Sequence, residues 1–171
     1  SRVDTAVDNL LEERIGRGRH DLKALLGKAA NANAKLAYEA FKSTFGSERF
    51  AALRAKGARV QRPLWASTGT KNPAYSDVLY IEPLIGQDTV NTMPPATLTA
   101  FQEHGTVAAA TIERGVAEAR RTIEELEAAG VGMEQVTAKL LADGVRSFAD
   151  SFDKLLANIA EKRAKLLSPK M

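Results

Sequence analysis

Residues 65–77 read Trp-Ala-Ser-Thr-Gly-Thr-Lys-Asn-Pro-Ala-Tyr-Ser-Asp, and they hold the densest set of anion-binding groups in the 171-residue chain. An apolar run over 60–65, with Pro63 inside it, delivers the backbone into this turn. The hydroxyls and exposed backbone amides can donate hydrogen bonds, Gly69 lets the backbone come close, and the Lys71 ammonium supplies charge. A strand that ends in such a turn is well suited to a phosphate.

The remaining chemistry-bearing residues point elsewhere. His20 and His104 lie in polar helix-end contexts and read as surface residues. With two His and no Cys, no metal constellation is visible, and no cofactor is expected. The cluster Gly16-Arg-Gly-Arg19 sits beside Asp and Glu and reads as a solvated loop. The formal net charge of +3 is small and spread out, and aromatics at 6% are too few for a base-stacking platform, so no nucleic-acid partner is expected. No apolar run approaches the roughly 20 residues of a membrane span. The absence of Cys fits a reducing cytoplasm, which is the expected location. The chain begins at Ser1 without an initiator Met, which suggests a processed, truncated or partial polypeptide.

The elements that must position the turn are mostly helical. Apolar spacing predicts a helix over 3–15, a second over 21–45 with a buried stripe from Leu22 to Phe41, and a short one over 48–56. Ser47 is the expected N-cap of the third, and Gly57 its left-handed stop. A strand is expected over 60–66, although Pro63 sits poorly in a central strand. Residues 78–85 read as a short strand or helix, and 89–93 as a second short strand. Pro94 and Pro95 suit the first turn of the next helix, with Thr92 as its cap and Gly105 as its end. A strongly amphipathic helix follows over 112–129, closed by Gly130. A short helix over 133–141 and a long one over 145–167 complete the chain, their apolar stripes expected in the core, before a frayed tail. Two short strands, apolar on both sides, suggest a parallel sheet with helices outside. Two parallel strands make no stable sheet alone, so most of the sheet is expected to be missing.

At Leu64-Trp-Ala-Ser-Thr-Gly-Thr-Lys-Asn-Pro-Ala-Tyr75 the sequence resembles the longer bacterial type of transaldolase. The likeness continues through Tyr80-Ile-Glu-Pro-Leu-Ile-Gly86 and Thr89-Val-Asn-Thr-Met-Pro94, and upstream through Ser1-Arg-Val-Asp4 and Lys35-Leu-Ala-Tyr38. It covers nearly the whole chain. Similar domains also occur fused to a phosphoglucose isomerase domain. The resemblance implies an α/β fold, the C-terminal portion of a TIM (β/α)8 barrel. This portion would be mostly helical, with two or three short parallel strands, and incomplete alone. Residues 1–171 would be the C-terminal part of a single barrel domain, from the end of strand six onward; a whole barrel needs about 250 residues.

The implied activity is transfer of a dihydroxyacetone unit between sugar phosphates through a Lys Schiff base, in the pentose phosphate pathway. Donors would be fructose 6-phosphate or sedoheptulose 7-phosphate, and acceptors erythrose 4-phosphate or glyceraldehyde 3-phosphate. The Schiff-base Lys and the acid/base carboxylates would lie in the absent N-terminal part, so no catalytic residue is assigned to this chain. By resemblance Arg2 is the phosphate-binding arginine at the end of strand six, Ser67 a substrate-contacting hydroxyl at the end of strand seven, and Lys71 a further phosphate ligand. Read without the resemblance, Arg2 is an exposed terminal arginine, Ser67 an ordinary turn hydroxyl and Lys71 a solvated lysine. Asn91 and Thr92 would lie at the same rim. The expected partners are sugar phosphates and the missing N-terminal part of the barrel, whether in the same polypeptide or as a separate chain. The competing reading is a helical module that holds an anion or an RNA backbone on the same turn without catalysis. A third is a class I aldolase on the same scaffold.

Overall fold

The computed structural model describes residues 1–167 and divides into two compact units, Ser1–Met133 and Glu134–Met171. Its elements are α1 (Arg2–Gly16), α2 (Ala29–Phe45), α3 (Glu48–Arg54), β1 (Leu64–Trp65), β2 (Val90–Asn91), α4 (Pro95–His104), α5 (Val116–Ala128) and α6 (Met133–Leu167). Short 3-10 turns lie at His20–Leu25, Glu82–Leu84 and Thr111–Glu113. The architecture is mostly helical with two short parallel strands, as the residue patterns predict.

In the first unit, α1 buries Val7 and Leu11 completely, one helical turn apart, and α2 packs along α5. The core cluster of Ala34, Tyr38, Leu84 and Ile112 sits under α2, with Phe41 and Trp65 against it. Tyr38, Phe41, Phe45 and Phe50 continue it as a ladder of rings with centroids 5.7, 5.2 and 4.7 Å apart. These spacings are those of favourable aromatic pairs, so α3 is held to the end of α2 by ring contacts. Ser47 caps α3 by accepting from the Phe50 amide at 3.2 Å, and Gly57 follows with φ 94°, both as expected.

Three expectations about helices need correction. The helix expected over 21–45 is broken at Leu26-Gly27-Lys28. Gly27 has φ 69°, its N–H donates to Asp8 Oδ1 at 3.0 Å, and the Tyr75 ring lies where a Cβ would stand, 2.9 Å away. Tertiary contacts thus override a continuous apolar stripe. The predicted break between the last two helices is absent: α6 runs through Gly144 for 35 residues. A single helical Gly costs only about 1 kcal/mol, and the Lys139–Asp143 ion pair at 2.7 Å bridges the turn just before it. The stripe on α6 is not core either. Phe148 is 82% exposed, and Phe152, Leu155, Leu156 and Ile159 are exposed with it. The tail at 168–171 lies outside the described residues.

The strands are shorter than predicted. Only Leu64–Trp65 and Val90–Asn91 pair, in parallel, with Leu64 opposite Val90 and Trp65 opposite Asn91. The ladder is closed by Val90 N–H to the Pro63 carbonyl and Thr92 N–H to the Trp65 carbonyl, both 2.9 Å. Pro63 contributes only its carbonyl, which is why it is tolerated here. Residues 78–85 form turns and a 3-10 segment rather than a strand. Thr92 does not cap α4: Pro94 occupies the cap position, and the Thr92 hydroxyl donates to the Trp65 carbonyl at 3.2 Å.

Candidate functional site

The two strands end side by side, and the chain leaving β1 turns sharply at Ser67, whose φ of 58° is left-handed. That conformation is uncommon for a residue with a Cβ and costs of order 1–3 kcal/mol. It is fastened from outside. The Ser67 carbonyl accepts from the Ser1 hydroxyl at 2.8 Å, and the Ser67 and Ser1 hydroxyls lie 3.3 Å apart. The start of α1 is thereby tied to the end of β1. Between them opens a cavity of about 540 Å³. Arg2, Ser67, Trp65, Asn31 and Tyr80 are among the residues that line it.

Arg2 and Ser67 therefore share one cavity. Arg2 is exposed, and its guanidinium has no hydrogen-bond or ion-pair partner among the described residues. Lys71 is placed elsewhere. It lines an adjoining cleft of about 230 Å³ with Asp4, Asp8, Glu12 and Tyr75, and only Ser1 and Tyr80 belong to both spaces.

The turn that looked rich in donors spends most of them on itself. The buried Thr68 hydroxyl lies 2.8 Å from Asn91 Oδ1 and 3.1 Å from the Thr92 carbonyl, donating toward both. Thr70 donates to the Ser76 carbonyl at 2.8 Å, and Asn72 Oδ1 accepts from the Ala74 amide at 2.9 Å. Gly69 is buried, and a Cβ there would come within 2.9 Å of Pro94 Cγ, so the close approach it permits is to α4. Of the three residues at 67, 68 and 70, Ser67 and Thr68 line the cavity, and the Thr68 hydroxyl is already engaged by Asn91 and Thr92. Asn91 is a brace: Oδ1 accepts from Thr68 while Nδ2 donates to the Tyr80 carbonyl at 3.1 Å.

Beneath the rim lies a network that the sequence did not disclose. Asp4 Oδ1 accepts from the Ala30 amide at 2.7 Å, and Oδ2 accepts from the Tyr80 hydroxyl at 2.8 Å. One turn later Asp8 repeats the pattern with the Gly27 amide and the Tyr75 hydroxyl at 2.8 Å. α2 has no side-chain cap of its own, so Asp4 on α1 satisfies one of its orphan amides. Burial raises the Asp4 carboxyl above its ordinary value, against the opposing pull of the Ala30 and Tyr80 hydrogen bonds. Burial, together with the two aspartates, pushes the Tyr75 and Tyr80 phenols up, which keeps both as donors. The available signal was the spacing of Asp4 and Asp8 on the face that carries Val7 and Leu11.

Two polar atoms stay buried without a partner among the described residues, Asn31 Oδ1 and Trp65 Nε1. Both residues line the cavity shared by Arg2 and Ser67. His20 is exposed, and His104 lies 3.3 Å from Asp77 at the surface. Arg17 and Arg19 pair with Glu13 and Asp21, as a solvated loop would. Among the described residues, no group of three or more His, Asp or Glu side chains is placed to hold a metal, and no helix is long and apolar enough to cross a membrane.

Residues 1–159 match the family described as Transaldolase/Fructose-6-phosphate aldolase. The chain belongs to that family. It is similar to the transaldolase of Mycolicibacterium smegmatis, 49% identical over 156 residues that make up 91% of this chain and 41% of that protein. It is 46% identical to transaldolase 2 of Nostoc sp. over 177 residues, 99% of this chain and 46% of the relative. The transaldolase of Thiobacillus denitrificans is 49% identical over 159 residues, 93% and 43% of the two chains. The chain thus spans less than half the length of the curated relatives it matches, and in that sense is a partial transaldolase. The match takes in α1 through most of α6, including both strand ends and the whole cavity.

Proposed function

We propose that this chain is the C-terminal part of a transaldolase (β/α)8 barrel, starting at the end of strand six. In the complete enzyme it would hold the phosphate of a sugar phosphate while a Lys outside it makes and breaks bonds. The observation that carries this reading is the convergence of Arg2 and the strained Ser67 on one cavity at the adjacent ends of two parallel strands. Barrel active sites gather at that end of the strands. Leu64 in β1 is 53% exposed, as expected of a barrel strand that lacks its neighbours. The unpaired Trp65 Nε1 and Asn31 Oδ1 beside the cavity fit the same picture.

In this reading the guanidinium of Arg2 forms paired hydrogen bonds to the phosphate, and Ser67 adds its hydroxyl. Lys71, across Ser1 from that cavity, contributes positive charge and comes within reach by extending its flexible stem. The amine of the external Lys adds to the ketose carbonyl and loses water to give a protonated imine. That imine accepts the electron pair when the neighbouring C–C bond breaks. A carboxylate, also outside this chain, takes the hydroxyl proton as the aldose phosphate leaves. The bound three-carbon enamine then adds to an acceptor aldose phosphate, and water hydrolyses the resulting imine to free the product ketose phosphate and the Lys amine. The family also includes an aldolase chemistry, in which the enamine is protonated and the resulting imine is hydrolysed to release the three-carbon ketone. The relatives' names favour transfer, and a cytoplasmic pentose phosphate role follows from the same assignment.

Borohydride reduction of the full-length protein in the presence of fructose 6-phosphate, followed by peptide mapping, tests this reading. The covalent label is expected on a Lys outside residues 1–171. A label on any Lys of this chain would overturn the division of labour.

A further inference from the structure

The loop that carries Lys71 is tethered at one point along its length. Thr70, Asn72 and Ser76 bond only within the loop or to the residues that follow it. Among the described residues, Tyr75 is the one member of 71–76 whose hydrogen bonds reach a helix: its hydroxyl donates to Asp8 Oδ2 on α1 at 2.8 Å. The ends of the loop are pinned separately. Thr68 and Gly69 are held against Asn91 and Pro94, and Asp77 lies 3.3 Å from His104.

The socket that receives Tyr75 is shaped for a ring. Gly27 stands left-handed at φ 69°, and Asp8 Oδ1 accepts its N–H at 3.0 Å. A Cβ at position 27 would meet Cζ, Cε2 and Cε1 of the ring at 2.9, 3.1 and 3.2 Å, so a side chain there would have to displace it. One carboxylate therefore fastens the wall of the socket with one oxygen and the phenol with the other. The interruption of the apolar stripe at 26–28 is what makes room for this ring.

The seat of Tyr75 decides where Lys71 acts. Ser1 borders both cavities, and its nitrogen reports the field there. Burial lowers the Ser1 amine below its ordinary value, against the pull of Asp4, and of the two cations that lower it further Lys71 acts more strongly than the adjacent Arg2. We propose that Tyr75 is a positioning residue: seated between Gly27 and Asp8, it holds the loop on α1 so that the Lys71 charge falls on the rim of the Arg2–Ser67 cavity. This role rests on the sugar-phosphate reading of that cavity. Every contact it uses lies within the first unit of this chain, and α1 supplies both Asp8 and Arg2. An untethered loop would spread the ammonium over many positions, and salt screens a charge within about 8–10 Å.

Tyr75→Phe in the full-length protein keeps the ring and removes only the bond to Asp8. The Ala74 and Tyr75 amides both bond to Asn72, and their hydrogen exchange should quicken by about tenfold while the amides of α5 keep their rates. Gly27→Ala should loosen the same two amides from the other side of the contact. Tyr75→Phe and Lys71→Ala should each raise KM for fructose 6-phosphate by about two- to threefold at low salt, with kcat nearly unchanged. The double variant should match the single ones rather than reach their product, because both substitutions remove one effect. All three should converge on the parent as salt is added. Exchange unaltered by both socket substitutions would overturn the proposal. So would a KM indifferent to Tyr75→Phe, or KM effects that multiply, since Tyr75 would then not act through Lys71. Failure of the unsubstituted protein to bind fructose 6-phosphate would overturn the reading of the cavity and this role with it, and it is told apart from the other results because it needs no variant.

Discussion

Asp4 and Tyr80, 76 positions apart, meet in a 2.8 Å hydrogen bond between the Asp4 carboxylate and the phenol that lines both cavities at the strand ends. The other carboxylate oxygen holds the Ala30 amide at the start of α2. One nearly buried side chain therefore sets the position of α1, of α2 and of the loop that follows the phosphate-like turn. Arg2 lies two residues before it on α1, so the geometry of the proposed grip depends on this carboxylate.

Asp4→Ala should destabilise the chain by about 3 kcal/mol, because it strands a buried amide and a buried phenol at 1–3 kcal/mol each. Asp4→Asn should cost far less, since its amide can still accept from Ala30 and donate to the Tyr80 oxygen. The two also differ in pH response. The folded Asp4 carboxyl titrates above its unfolded value near 3.8, so the folded chain binds more protons in that window. Its contribution is present in full below the unfolded value and is lost as pH rises through the folded one. Urea midpoints measured from about pH 4 upward should fall for the parent chain relative to Asp4→Asn. Midpoints that run parallel would sink the assignment.

Arg14 offers a test remote from the site. Its guanidinium donates to the Ala129 carbonyl at 3.0 Å, the Gly130 carbonyl at 2.9 Å and the Leu10 carbonyl at 2.8 Å. It thus caps the C-terminus of α5 from α1, where a cation also complements the helix dipole. Loss of these charge-assisted bonds in Arg14→Ala should cost about 2 kcal/mol. Arg14→Lys should recover only part of it, because an ammonium cannot span carbonyls set in a fork. An Arg14→Lys midpoint equal to that of the parent chain would show that geometry is not what matters.

Two left-handed residues with side chains should respond differently to glycine. Ala110, φ 52°, opens the 3-10 turn before α5, and Ala110→Gly should stabilise by about 0.5 kcal/mol as relief of strain outweighs added unfolded-state entropy. Ser67→Gly gains the same relief but removes the hydroxyl on the cavity. A more stable Ser67→Gly protein with weaker sugar-phosphate binding would mark Ser67 as strain kept for function. Unchanged binding would reduce Ser67 to a turn residue.

What the sequence disclosed and what it hid follow from one physical distinction. Local signals were legible: the Ser47 cap, the Gly57 stop, and the parallel pairing of two short apolar segments. Contacts between distant segments were not. Nothing near Thr68 says that its hydroxyl will be used up by Asn91, and nothing near Gly69 says that Pro94 will cover it. Asp4 and Asp8 drew no reading of their own, because their partners, Tyr80 and Tyr75, lie 76 and 67 positions away in the sequence. The α6 stripe misled in the opposite sense, since amphipathic spacing predicts that a face needs a partner without saying that the partner lies in the same chain.

The separation of Arg2 and Lys71 into two cavities gives the sharpest functional prediction. If phosphate sits between Arg2 and Ser67, Arg2→Ala in the full-length enzyme should raise KM for fructose 6-phosphate by 10- to 100-fold, about 1.4–2.8 kcal/mol of lost binding. kcat should change less, because uniform binding rather than bond chemistry is removed. Arg2→Lys should recover charge but not the paired hydrogen bonds, and so rescue only part of the loss. Lys71 stands beside Asp4, Asp8 and Glu12, carboxylates that offset its charge toward a substrate. Lys71→Ala should therefore raise KM by no more than about threefold, with an effect that fades as salt screens it. If Lys71→Ala proved the more damaging of the two, the phosphate would belong in the acidic cleft, and the Arg2–Ser67 cavity would have to be assigned to another part of the substrate.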